Sequence, residues 1–242
     1  MSDDVKSQLA PTGVLRAGIN MANQLLVTGE TPAGEPDGVG PEFARHIAAS
    51  LGVEIAYVQF PTPGDLADAV GTNTWDIGLI GAEPTRAEKI EFTAAYVEIE
   101  ATYLVPEGSR LQTIADVDAE GVRIAVSGRS AYDLYLTRSL EHAELIRAQG
   151  LPGALELFLN DKLDALAGLR PALNNDIGKV PGGRILDGQF TAVQQAVGTA
   201  KANTAAAAFL SEVVEEAKAS GLIGSLIEKH GVVGRLSVAA VA

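Results

Sequence analysis

Arg86 follows Thr85 in Thr85-Arg86-Ala87-Glu88, a run with the spacing of a capping box. A threonine cap predicts Arg86 in the first turn of a helix. There, backbone N–H groups without intrahelical partners and the positive end of the peptide dipoles face the same way. A guanidinium adds a planar, two-pronged donor that matches a carboxylate. The plainer alternative is a surface arginine paired with Glu83 or Glu88. Ser130, with Asp133 three residues on, opens another predicted helix. Its hydroxyl is placed either to grip the same anion or to serve as an N-cap alone. Glu83, beside Arg86, is the candidate general acid of an enzymatic alternative. Glu98 and Glu100 alternate on one strand face with Tyr96 and Thr102, and read most simply as a solvated edge.

Other chemistry finds little support. His46, His142 and His230 lie far apart, none with a second ligand at helical spacing, so no metal site is expected. The absence of cysteine excludes disulfides, thiol nucleophiles and cysteine metal sites. No phosphate-binding loop, dinucleotide glycine fingerprint or nucleophile elbow is present. Gly34, Gly38 and Gly40 read instead as a turn before a helix, and no cofactor is implied. Lys and Arg total 18 against 31 Asp and Glu, a formal net charge of -13, which makes nucleic acid and anionic lipid poor partners. No apolar run reaches the roughly 18 residues of a membrane helix. The start, Met1-Ser2-Asp3-Asp4-Val5-Lys6, lacks the basic residues and apolar segment of an export signal. The expectation is a cytoplasmic chain if Met1 is the natural start, and a periplasmic one if Met1 replaces a removed signal.

Strands alternate with helices along the chain, which predicts an α/β protein. Val14 to Ile19, Val53 to Phe60 and Trp75 to Gly81 are strand-like, the last an apolar run suited to burial on both faces of a parallel sheet. Phe43, Ile47, Ala48 and Leu51 recur at helical spacing up to Gly52, and Thr62-Pro63-Gly64-Asp65 caps a further helix. After a long strand over 96–105 the rhythm restarts. Val122 to Val126 is a strand, and Leu134 through Ile146 reads as one helix carried to Gly150. A short helix over 155–160 precedes a strand over 163–168, and a short strand ends at Leu186. Phe190 to Val197 reads as a return strand, and Thr204 caps a helix to Ala219 with Gly221 beyond it. A last helix covers 222–230. The strands near 96–105 and 190–199 suit crossings between two lobes: residues 13–104 with 193–236, and residues 105–192, with tails at 1–12 and 237–242.

The segment from Asp76 to Tyr96, with Arg86-Ala87-Glu88-Lys89-Ile90-Glu91-Phe92-Thr93-Ala94-Ala95-Tyr96, resembles family 3 solute-binding proteins, the receptors of ABC importers for amino acids and related solutes. Gly38 to Ala48 is similar to that family's first helix. Asp161-Lys162-Leu163-Asp164-Ala165 resembles the approach to its second-lobe strand, and Ala219 to Gly231 its closing helix. The resemblance implies the two-lobed type II periplasmic-binding-protein fold, whose two strand crossovers form a hinge closing on a ligand. It implies that Arg86 holds the ligand's carboxylate.

Several positions depart from the family pattern. Arg129 stands where relatives carry Gly, Ser or Thr. Leu169, before Arg170, stands where amino-acid-binding members place an Asp for the ammonium. The first-lobe aromatic clamp is replaced by Asn23-Gln24-Leu25-Leu26, which with Asn20 offers amides. The Gly81-Ala82-Glu83-Pro84 loop is short, with Glu83 in place of Thr. The expected ligand is therefore a small, carboxylate-bearing solute, an organic acid or amino-acid-like molecule. Arg86 and Ser130 would hold it, with Arg129, Arg170, Glu83, Asn20, Asn23, Gln24, Gly81 and Leu169 around them. ABC transporter membrane subunits are the implied partners. The alternatives are a cyclohexadienyl dehydratase-like lyase on the same fold, with Glu83 as its acid, and a ligand-sensing partner protein.

Overall fold

The computed structural model describes residues 3–241. The chain divides into two compact units, one up to Glu98 and from Gln194 onward, the other Ile99–Val193. It passes from one to the other inside two long strands, Ile90–Val105 and Thr191–Ala200.

In the first unit, strand Val14–Asn20 pairs in parallel with Glu54–Phe60 on one side and with Ile77–Gly81 on the other. Ile77–Gly81 is buried at every residue, as its apolar run predicts. Its second neighbour, Thr191–Ala200, runs antiparallel, so the sheet is mixed rather than all-parallel. Trp75 stacks over this sheet, and two glycines make the room. A Cβ on Gly18 would meet the Trp75 ring at 3.3 Å, and one on Gly78 would meet the Leu66 side chain at 2.8 Å. Helix Val39–Leu51 buries Phe43, Ile47, Ala48 and Leu51, the stripe its spacing predicts, and Gly52 ends it at φ 70°. Thr62 caps helix Pro63–Asp68, its hydroxyl oxygen accepting from the Asp65 N–H at 3.1 Å.

Two readings of this unit are corrected. Residues 3–9 are helix, not a polar tail, because Val5 and Leu9 bury themselves and Gln8 accepts the Ala206 N–H of a second helix, Thr204–Ala219, at 2.9 Å. That second helix has Asn203 rather than Thr204 at its N-cap position. No helix among the described residues is long and apolar enough to cross a membrane.

In the second unit, strand Arg123–Ser127 lies parallel to Glu144–Ala148 and to Ala165–Leu169, and the latter runs antiparallel to the 101–104 stretch of Ile90–Val105. Helices Ala131–Ser139 and Gly150–Asn160 connect the three parallel strands in turn, and Arg170–Asp176 follows the last. The single helix expected from Ser130 to Gly150 is two elements. It stops at Ser139, and Glu144–Ala148 is a strand. Asp118 explains the break: its carboxylate accepts the N–H groups of Glu141, His142 and Ala143 at 2.8–3.0 Å, taking donors that a continuing helix would need.

Partial burial pushes the Asp118 carboxyl up, but those three N–H groups outweigh it and hold the group below its ordinary value of 3.8. A depressed folded-state pKa contributes stability that is present above the unfolded value and lost as pH falls through the folded one. Asp118→Asn is therefore expected to cost about 1 kcal/mol at pH 7, a figure kept small by solvent screening. The gap from wild type should close below pH 3.8, as urea unfolding at pH 7, 5 and 3 would show.

Candidate functional site

The parallel strands of the first unit end along one edge, with Asn20 beside Phe60 and Gly81 two residues beyond the Ile19–Leu79 pairing. Carboxyl ends of parallel strands are where α/β sheets receive ligands. Gly81 leads into Ala82, whose N–H donates to the Gln194 carbonyl at 2.7 Å, and then into the single-turn helix Pro84–Ala87.

Arg86 sits in that turn with 6% of its surface exposed. Its Nη1 donates to the Gly81 carbonyl at 2.6 Å, tying the guanidinium to the end of the central strand. Glu83, not Thr85, occupies the N-cap position, because Pro84 sets the first helical residue. One turn aligns too few peptides for a substantial dipole, so burial and the Gly81 bond do the positioning. Glu83 is buried as well, and its carbonyl accepts the Ala87 N–H at 2.9 Å. A buried cation and a buried carboxylate three residues apart suit a ligand carrying both charges.

Asn20 and Asn23 brace the adjoining loop. Their side-chain oxygens accept the N–H groups of Ala22 and Leu25, each at 3.2 Å. Gln24 is exposed. A small cavity of about 10 Å³ lies beneath this loop, bordered by Asn20, Asn23, Gly40, Tyr96 and Gln195. The volume suits one water. The Tyr96 hydroxyl is fully buried there without a hydrogen-bond partner among the described residues, and burial holds its ionisation above the ordinary phenol value. Sequence reasoning missed Gln195, which pairs with Gly81 across the sheet. Its signal was a Gln194-Gln195 pair set between the apolar runs Ala192-Val193 and Ala196-Val197 of one strand.

Asp76, the acidic residue just before the central strand, is not a ligand group here. Its carboxylate takes the Arg16 backbone N–H and Nε, each at 2.9 Å, and Nη2 at 2.6 Å.

In the second unit, Ser130 is the N-cap of Ala131–Ser139, its hydroxyl oxygen accepting the Asp133 N–H at 3.1 Å. Asp133 accepts the Arg129 N–H at 2.7 Å and pairs with Arg147 at 3.0 Å. The exposed Arg129 has φ 63°, the left-handed region that costs a side-chain-bearing residue about 1 kcal/mol or more. That is why glycine suits this position. Arg129→Gly is expected to raise the melting temperature by about 2–4 °C, read by thermal denaturation. Leu169 ends strand Ala165–Leu169. Arg170 turns to its own unit: Nε meets Glu100 at 2.7 Å, and Nη2 donates to the carbonyls of Leu186 and Gly188. This accounts for Glu100 and leaves Arg170 a structural role.

The class follows from this frame: a two-lobed α/β fold of the type II periplasmic-binding-protein kind. Residues 15–233 match the bacterial extracellular solute-binding proteins, family 3, and the chain belongs to that family. Among solved structures it is similar to a mutant of ArgBP from T. maritima, with 22% identity and a TM-score of 0.74 over 94% of this chain and 99% of that one. It is similar to the amino acid ABC transporter substrate-binding protein AbpA from Streptococcus pneumoniae bound to L-arginine, with 18% identity and a TM-score of 0.73 over 92% and 96%. A third, at 19% identity and a TM-score of 0.73 over 92% and 97%, is the ancestral amino acid-binding protein AncCDT-1, a precursor of cyclohexadienyl dehydratase. No curated protein matches the sequence.

Proposed function

We propose that this solute-binding protein captures a small zwitterionic solute of amino-acid type and delivers it to an ABC-type importer. Arg86 takes the carboxylate, and Glu83 takes the ammonium in place of the aspartate that Leu169 displaces. The observation that carries the reading is the burial of both charged residues on one short turn at the end of the central parallel strand. A turn that presents a guanidinium and a carboxylate together, in a setting that water screens little, suits a molecule carrying the matching charges. Membership in the family and the amino-acid binders among its structural relatives support the same class of ligand.

The test is calorimetric titration with a panel of amino acids and the same carbon skeletons lacking the amine. The expected result is a bound amino acid whose des-amino analogue binds much more weakly, a preference that Glu83→Gln removes. Tighter binding of the des-amino acids, or equal binding by wild type and Glu83→Gln, would overturn the zwitterion assignment.

A further inference from the structure

Away from this turn, the first unit gathers Asp37, Glu42 and His230, whose ligand atoms all lie within 4.8 Å of one another. They come from two distant parts of the chain. Asp37 ends the small hairpin Gly29–Glu30/Pro36–Asp37, Glu42 lies in the first turn of Val39–Leu51, and His230 caps the C-terminal helix Leu222–Lys229. They are the one cluster of three or more such ligands among the described residues.

The His230 side chain is only 6% exposed. Its Nδ1 lies 3.2 Å from the Thr28 hydroxyl. The neutral tautomer that donates Nδ1–H to Thr28 leaves a lone pair on Nε2. Nε2 is buried, its only near neighbour of opposite polarity among the described residues being Glu42 Oε1 at 3.3 Å, too poorly aligned for a good hydrogen bond. In that tautomer two acceptors face each other, and a cation between them would relieve the repulsion; in the other tautomer Nε2–H points at Glu42 instead. The spacing already equals the ligand-to-ligand edge of roughly 3.3 Å in a tetrahedral site with bonds of about 2.0–2.1 Å.

We propose that Asp37, Glu42 and His230 form a divalent-metal site of the zinc type, with Nε2 and two carboxylates as ligands and water completing the shell. The Lys229 ammonium now rests on Glu42 Oε1. Its side chain is 62% exposed, so it can swing into solvent when a metal enters. The metal would fasten the C-terminal helix to the hairpin and to Val39–Leu51, acting as a structural clasp rather than a reacting centre.

Tag-free, chelator-treated protein titrated with zinc chloride tests the assignment, with cobalt absorption reporting ligand geometry. One saturable zinc per chain is expected, together with a zinc-dependent rise in melting temperature. Glu42→Gln and His230→Gln should each weaken binding at least 100-fold. Lys229→Met, which removes the competing ammonium, should tighten it several-fold. Absence of saturable binding, or zinc affinity unchanged in folded Glu42→Gln and His230→Gln, overturns the proposal.

Discussion

Arg86→Ala is expected to lose at least ~30-fold in affinity for the solute proposed above. Truncating one member of a desolvated charge pair typically costs about 2–5 kcal/mol, and each 1.4 kcal/mol is tenfold in affinity. The guanidinium lies buried at the end of the central strand, where water screens the interaction little. Arg86→Lys keeps the charge but not the planar fork, so it should recover only part of the loss. The alanine variant also forfeits the bond to the Gly81 carbonyl, so a thermal melt must accompany the titration. If a folded Arg86→Ala protein binds the solute as tightly as wild type, Arg86 is not the anchor.

Trp75→Ala carries the largest expected effect on stability, about 3–5 kcal/mol, a large fraction of what a typical domain holds. The ring is buried with Leu66, Ile80 and Ile90, and its Nε1 donates to the Leu66 carbonyl at 3.0 Å. Gly18 and Gly78 pack bare backbone against it and have no side chain to move in, so the alanine variant leaves a cavity that rigid strand backbone cannot close. Roughly 2–4 °C of melting temperature per kcal/mol for a chain of this size puts the fall near 10 °C. Because Trp75 is the sole tryptophan, far-UV circular dichroism is the suitable probe. Trp75→Phe should cost less, about 1–2 kcal/mol, since it keeps apolar contact but removes the donor to Leu66. A melt within a degree of wild type for Trp75→Ala would contradict this account of the core.

Local signals were legible where one short stretch decides the outcome. The Phe43 to Leu51 stripe, the Gly52 stop, the Thr62 cap and the apolar 77–81 strand each depend on neighbours within a turn or two. The motif from Asp76 to Tyr96 carried the family, because it spans a whole strand–turn–strand unit. Readings failed where a distant partner overrode local preference. Leu145 and Ile146 continue a helical spacing, yet Asp118 captures the amides just before them and Arg123–Ser127 pairs with them as strand. Residues 3–9 look polar until Val5 and Leu9 find a surface to cover.

The site divides along the same line. Arg86, Glu83 and Ser130 announced themselves by type and position, and all three are buried at helix starts. Arg170 looked equally available, but its commitment to Glu100 and two carbonyls depends on residues up to 70 positions away. His230 lies nearly two hundred residues from Glu42, and no spacing rule joins them. Residue order alone determined the family, the alternation of strands and helices, and which charged side chain stands at the end of the central strand, since each follows from short-range chemistry. Only the folded chain decided which charges are used up internally and which distant acceptors meet, because burial and long-range pairing are properties of the packed backbone.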